Sequence, residues 1–364
     1  MVGRHHQPSA GSINIQTSKF ENKTGDLPMN KRFFKILAMI LGAIIILMIL
    51  LLAVGPFLIP ITPLEGLVSA QQVATNDSKF ITVPFEGTDG LDIHYIASEP
   101  ESADEGPTFV LLHGSLFNAF TWNEVMDFFS EQGQVVAYDQ IPYGLSEKLV
   151  AGDWAERNPY TSEAAIDQLF LLLDALGVDK VVLVGNSYGG TLAVQAALAQ
   201  PERVEALILV DAAVYVQEEM PAWLLELPQV RRLGPLFARQ LGQSEAFIRQ
   251  TYLNPDQISN ERMTLTTIHT QVEDWDIALW EYLRAWGVGT PDFVTRIPTI
   301  QQPALVITGD SDAVVPVSDS QRLDSELSNS ELVVLPSCGH VPQEECPEAF
   351  EEAVGMWLSQ RERK

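Results

Sequence analysis

The sequence predicts an α/β protein with a mostly parallel eight-stranded sheet flanked by helices, an inserted helical cap and an N-terminal transmembrane helix. Three observations carry that expectation. Six short aliphatic runs alternate with amphipathic stretches: Thr108 to Leu112, Val135 to Tyr138, Lys180 to Val184, Ala206 to Val210, Ala304 to Thr308 and Glu331 to Leu335. Such runs suit strands covered on both faces, the environment of a parallel sheet. Residues 214–296 break the alternation with helical, aromatic-rich segments and no strand pattern. Residues 36–59 contain no charged residue.

The apolar segment comes first in the chain and is long enough to span a bilayer, which takes about 20 residues of helix. Ahead of it stand Arg4, Lys19, Lys23, Lys31, Arg32 and Lys35 against Glu21 and Asp26. By the positive-inside rule residues 1–35 form a cytoplasmic tail and the remainder faces outward. The competing expectation is a signal peptide cleaved after Ala70, where Val68-Ser69-Ala70 supplies small residues. The apolar run exceeds the roughly 7–15 residues of a signal h-region and ends well before that site, which favours a retained anchor.

A net charge of −26, with +4 in the tail, leaves −30 for everything after residue 35. That excludes nucleic acid as a natural partner and weakens docking on anionic lipid. Cys338 and Cys346 flank His340; export permits a disulfide there, and the pairing stays open. The spacing of histidines and cysteines suggests no metal.

Residues 60–78 read as a linker. A hairpin follows, Lys79 to Phe85 and Leu91 to Ser98 around Gly87-Thr88-Asp89-Gly90, and completes the eight strands. Helices are expected at Trp122 to Gln132, Ser162 to Leu176, Thr191 to Gln200 and Pro347 to Arg361. The first part of the core thus covers residues 79–213 and the second 297–364, with the cap at 214–296 between them, since a structureless loop of that length is improbable in a compact domain.

Chemistry concentrates at the ends of these strands. Val181-Val182-Leu183-Val184 runs into Gly185-Asn186-Ser187-Tyr188-Gly189, a G-x-S-x-G sequence between a buried strand and a helix. A serine hydroxyl is a weak nucleophile and needs a sharp turn that exposes it to a base. Candidate partners follow in order: Gly309-Asp310-Ser311-Asp312 after one strand and Ser337-Cys338-Gly339-His340-Val341 after the next. Upstream, His113-Gly114-Ser115 and Asp139-Gln140-Ile141-Pro142-Tyr143-Gly144 close two further strands. Loops beyond the carboxyl ends of such strands converge on a ligand.

These four motifs in this order resemble the α/β-hydrolase fold family over residues 79–364. The resemblance implies Ser187 as nucleophile, His340 as base and then acid, and Asp312 as the carboxylate that orients the imidazole. It implies backbone N–H groups of Tyr188 and Ser115 as oxyanion donors, with Leu116 as the rival of Ser115. Asp310 and Asp211 compete for the acid position, since some relatives place their acid at the end of the sixth strand. His113 is expected to shape the oxyanion loop and Asp139 to stabilise its own turn. Leu116, Trp223, Trp280 and Val341 are candidate substrate contacts, although cap aromatics including Tyr282 and Trp286 more often serve as core.

Serine chemistry without cofactor or metal is acyl transfer through an acyl-enzyme. The expectation is hydrolysis of a small-molecule ester or acyl substrate, of esterase or lipase type, in an apolar acyl pocket. The elbow also looks like that of meta-cleavage-product C–C hydrolases, yet Leu116-Phe117-Asn118 and Val341 depart from their glycine-proline-rich loop and their tryptophan after the histidine. Amide or peptide hydrolysis is a further alternative, permitted by Glu218, Glu219, Glu273, Asp274 and Asp276. A ligand-sensing module on the same fold is another. Oligomeric state stays open.

Overall fold

The computed structural model describes residues 31–98, 106–215, 221–286 and 293–361. The expected tail lies outside these up to residue 30, as do Glu218 and Glu219. The chain divides into two compact units after Gly55.

The first unit is most of a single helix, α1 (Lys31–Leu58). It starts five residues before the uncharged stretch, so Lys31, Arg32 and Lys35 ride on its first turns. Its mean hydropathy reaches 3.3, and it is long and apolar enough to cross a membrane.

The second unit carries eight strands: β1 (Lys79–Val83), β2 (Leu91–Ser98), β3 (Thr108–Leu112), β4 (Gln134–Tyr138), β5 (Val181–Asn186), β6 (Val204–Val210), β7 (Ala304–Gly309) and β8 (Ser330–Leu335). They form one sheet in the order β1-β2-β4-β3-β5-β6-β7-β8. The hairpin strands pair antiparallel with each other, β2 pairs antiparallel with β4, and every later pairing is parallel. All six residues of β5 are buried. Val181 and Leu183 belong to the core on one face of the sheet, Val182 and Val184 to the core on the other, so an unbroken aliphatic run is what two-sided covering demands. Each such side chain contributes about 1.5–3 kcal/mol relative to exposure.

Helices fill the connections. The linker contains α2 (Ala70–Val73). In the first half of the core lie α3 (Met126–Ser130), α4 (Ser162–Leu176) and α5 (Tyr188–Ala199). Between β6 and β7 come α6 (Ala222–Leu225), α7 (Pro228–Gly242), α8 (Glu245–Gln250), α9 (Asn260–Thr266) and α10 (Trp275–Trp286); α11 (Val317–Glu326) joins β7 to β8, and α12 (Pro342–Glu345) and α13 (Pro347–Arg361) follow β8. Thr161 caps α4 by accepting from Ala164 N at 3.2 Å, and Gly177 closes it at φ 72°. The expected helix Trp122 to Gln132 is instead a 3-10 turn, Ala119–Val125, that passes into the short α3. Its N-cap Asn118 accepts from Phe120 N at 3.1 Å, which starts the turn earlier than the apolar pattern suggested.

Within the insert, α7 packs on α10 through small residues one turn apart. A Cβ added at Gly234 would stand 1.9 Å from the Trp280 ring, and one at Gly242 2.4 Å from Trp275. Buried Ala238 lies between them. Arg239 seals the contact with Asp276 at 2.5 Å.

The linker is bound to this insert. Val68 N–H donates to Gln271 O, and Glu273 N–H to Val68 O, both at 3.0 Å, which makes a parallel bridge between Val68 and Val272. Leu64 and Leu67 pack against the core. Ala70 is already helical, and Ser69 N–H reaches Gln72 Oε1 at 3.0 Å. A cut after Ala70 would sever this bridge from the domain.

Candidate active site

The strand order reverses between β3 and β5, and a crevice forms at such a switch point. Five non-glycine residues have positive φ among those described. Four of them stand just beyond strand carboxyl ends: Leu116 after β3, Ser187 after β5, Asp211 after β6 and Ser337 after β8. Backbone strain is therefore concentrated on the rim where the expected site residues lie.

Ser187 holds φ 54° and ψ −118°. Its N–H donates to Val210 O at 2.9 Å, and its carbonyl accepts from Gly190 N at 3.0 Å and Ala213 N at 3.0 Å, so neighbouring chain over-determines the strained turn. Close packing explains the glycines. A Cβ at Gly189 would meet Leu112 O at 2.1 Å, and one at Gly185 would meet Gly189 O at 2.3 Å. The helix starts at Tyr188 rather than at the expected Thr191, because these glycines let β3 approach its first turn. Tyr188 N–H therefore belongs to a helix N-terminus beside Ser187, where the dipole favours negative charge.

His340 is 3 % exposed, and its Nδ1 lies 2.7 Å from Asp312 Oδ2. The other carboxylate oxygen of Asp312 accepts from Val314 N at 2.7 Å and Val315 N at 3.0 Å. Burial pushes this carboxyl up, but the His340 hydrogen bond, its charge and those two amides outweigh it and hold the group below its ordinary value. Asn186 Nδ2, next to the serine, donates to His340 O at 2.9 Å, which brings the histidine loop against the elbow. Among the described residues the Ser187 hydroxyl itself makes no hydrogen bond; such contacts tighten when substrate binds.

Asp211 is fully buried and receives Thr308 Oγ1 at 2.8 Å and Gly309 N at 3.1 Å on one oxygen. Burial first, then the charge of Asp312, pushes its carboxyl well above the usual range. Asp310 faces elsewhere and receives Ser337 N at 2.9 Å. Of the three expected acids, Asp312 is the one bonded to the imidazole. Ligand atoms of Asp211, Asp312 and His340 lie within 4.8 Å of one another; a cation there would have to displace the imidazole–carboxylate hydrogen bond.

The oxyanion loop faces the serine across the switch point. A Cβ at Gly114 would lie 3.0 Å from Ser187 Cβ. Phe117 N–H donates to Gly114 O at 3.1 Å, which makes Ser115 and Leu116 the centre of a turn with Leu116 at φ 65°. Burial pushes the Tyr143 phenol up to about 12. Among the described residues neither the Ser115 nor the Leu116 N–H donates a hydrogen bond, so the turn leaves both amides open. His113 Nδ1–H donates to Gly114 O at 2.8 Å and Nε2 accepts from Gln140 N at 3.0 Å; burial lowers its pKa, so a neutral ring braces the loop. Asp139 accepts from Leu145 N in its own turn at 2.6 Å, and also from Ala119 N at 2.6 Å.

The expected substrate contacts separate. Leu116 and Val341 are buried, and Val341 packs with Phe117 and with Ile248, Tyr252, Ile258 and Met263 of the insert. Trp280 is the surface on which Gly234 rests, and Trp223 is 67 % exposed on α6, a poor wall for an enclosed pocket.

Sequence reading missed the Glu345 and Thr251 contacts of the histidine loop and left the Cys338–Cys346 pairing open. Glu345 accepts from Gly339 N at 2.8 Å, Leu253 N at 3.0 Å and Asn254 N at 2.7 Å, and His340 N–H donates to Thr251 O at 2.8 Å. The histidine loop is thus clamped to the insert. A disulfide joins Cys338 to Cys346 around the same loop. Asn186 was legible as part of the elbow, but its bond to His340 was not.

Residues 107–347 match the family model described as alpha/beta hydrolase fold. The chain is 30% identical over 292 residues to a 2-hydroxy-6-oxononadienedioate/2-hydroxy-6-oxononatrienedioate hydrolase of Paraburkholderia phymatum, covering 78% of this chain and 96% of the relative. It is 27% identical over 278 residues to the proline iminopeptidase of Lactobacillus delbrueckii subsp. bulgaricus, covering 71% and 91%. A solved putative lipase from Acinetobacter baumannii superposes with TM-score 0.62 at 21% identity, over 84% of this chain and 99% of that one. With sheet order, elbow and family match in agreement, the chain belongs to the α/β-hydrolase fold family.

Proposed function

We propose that the protein is a serine hydrolase that cleaves carboxylic esters, with α1 as a retained membrane anchor, the N-terminus cytoplasmic and the catalytic domain outside. Ser187 attacks the ester carbonyl while His340 takes its proton, and the imidazolium is held by Asp312. The oxyanion is received by the N–H groups of Tyr188 and Ser115. His340 then protonates the leaving alcohol, and water repeats the sequence on the acyl-enzyme. The insert serves as the cap, with Leu116 and Val341 offering apolar surface to the acyl group. The observation that carries the reading is the 2.7 Å bond from His340 to Asp312, with His340 O bonded at 2.9 Å to Asn186 next to the strained Ser187.

The test is hydrolysis of p-nitrophenyl esters from C2 to C16 by the full chain in detergent, with Ser187→Ala alongside. Turnover peaking at one chain length and lost in the variant supports the reading. A second reading, C–C bond hydrolysis, is favoured by the printed activity of the 30%-identical relative. A 2-hydroxy-6-oxo-dienoate and a proline anilide belong in the same assay, and turnover of either without ester turnover would replace the ester assignment.

A further inference from the structure

Helix α7 shows the molecule two unlike faces. Inward, Gly234, Ala238 and Gly242 meet α10. On the outer side Leu233 and Leu236 are only half-buried and Phe237 is 59 % exposed, and nearby on α6 Trp223 is 67 % exposed. Charge is unusual here as well. Residues 228–250 hold Arg231, Arg232, Arg239 and Arg249 against the single acid Glu245, in a domain that is otherwise strongly acidic. Arg239 is committed to Asp276 and Arg249 to Glu245. Arg231 and Arg232 are exposed; the first touches Glu226 at 3.4 Å. Arg232 Nη2 donates at 3.2 Å to the carbonyl of Ile59, the residue that follows α1. The apolar segment therefore ends on the first turns of α7, and the Val68 bridge ties the chain to the insert again nine residues later.

We propose that the α6–α7 face of the insert is seated on the surface of the same bilayer that holds α1, with Trp223, Leu236 and Phe237 at the interface and Arg231 and Arg232 toward lipid phosphates. A basic amphipathic helix with exposed aromatics has the character of an interfacial helix, and it is hydrogen-bonded to Ile59, the residue that follows the apolar helix in the chain. A second copy of the chain fits less well, because symmetric pairing of this face would bring its own arginines together. The inference rests on reading α1 as an anchor.

The test reconstitutes the full chain into phosphatidylcholine vesicles containing phosphatidylglycerol and a lipid brominated near the top of its acyl chain. Tryptophan quenching is compared between the unaltered protein and Trp223→Phe, after flotation in alkaline carbonate. The expected result is a quenched emission component that Trp223→Phe lacks. Phe237→Asp should weaken that quenching, and should lower hydrolysis of a long-chain ester dissolved in the vesicles about tenfold while leaving p-nitrophenyl acetate turnover in place. Equal quenching in the unaltered protein and Trp223→Phe, in chain that floats, overturns the proposal while the anchor stands. Conversion of a dimer to a monomer by Phe237→Asp without such quenching also overturns it and gives the face to a second copy. Failure to float at all removes the anchor reading itself.

Discussion

Among the described residues two serine–histidine–aspartate arrangements stand out, one around Ser187 and one around Ser78, and the second has the more complete hydrogen bonding. Ser78 Oγ lies 2.8 Å from His94 Nε2, and His94 Nδ1 lies 2.7 Å from Asp139 Oδ2. Ser78 Oγ also receives Thr75 N at 3.1 Å. Asp139 further accepts the Ala119 and Leu145 amides; burial alone would raise its carboxyl, and the adjacent His94 brings it below the ordinary value. Every polar atom there is engaged, His94 is fully buried, and Ser78 keeps an ordinary backbone. Ser187 differs on each point: its backbone is strained, its hydroxyl is uncommitted, and a helix N-terminus starts beside it. Residue identity does not distinguish the two sites, but strain and an open valence do.

The largest test of that contrast is at the serines. Ser187→Ala should lower ester turnover by about 10⁴-fold or more, whereas Ser78→Ala should leave it within about twofold. A fluorophosphonate should modify Ser187 alone, as read by peptide mass spectrometry; labelling of Ser78 would erase the distinction. Next come the acids. Asp312→Asn should cost about 10⁴-fold in kcat with little change in melting temperature. Asp139→Asn, which weakens a buried pair, should instead destabilise the fold by about 3 kcal/mol in a denaturant titration.

A smaller effect separates Asp312 from Asp211. The Asp211 carboxyl is raised, so above pH ~4 the folded state keeps a proton that the unfolded chain releases, and stability falls as pH rises toward the folded pKa. Asp312 is depressed and acts oppositely, with its contribution lost as pH falls through its folded pKa. Asp211→Asn should therefore flatten the decline in melting temperature on the neutral side and raise it at pH 7 by a few degrees, on the order of 1 kcal/mol. The smallest effect is at Glu345. Glu345→Gln keeps two of the accepted amides at best and should reduce kcat several-fold, with hydrogen exchange accelerated at Gly339 and Asn254 but not across the sheet.

How much was readable depended on whether a residue's partners were near in sequence. Strands β3 to β7 were legible because two-sided burial imposes an aliphatic run that needs no knowledge of neighbours, and β1 and β2 from the turn between them; β2 and β3 coincide with their expected bounds. Helices α4 and α13 were legible from amphipathic periodicity. Helix α11 was not, since Ser320 and Leu323 are its only buried residues and its pattern is nearly all polar. The start of α5 was placed at Thr191, three residues late, because Gly189 belongs to the first turn of the helix, where it admits the main chain of β3. At the site, the order of serine, acid and histidine identified the residues that the structure brings to one rim. The raised Asp211 carboxyl, the Glu345 clamp and the Val68 bridge depend on contacts across tens to hundreds of positions, which no local pattern records.

The bridge also decides where the chain can be shortened. A soluble version beginning at residue 71 would leave Gln271 O and Glu273 N–H without their main-chain partner and would strip Leu64 and Leu67 from the core they cover. One beginning near residue 60 keeps all of these, so the version beginning at residue 71 is expected to be aggregation-prone for reasons unrelated to Ser187, Asp312 and His340.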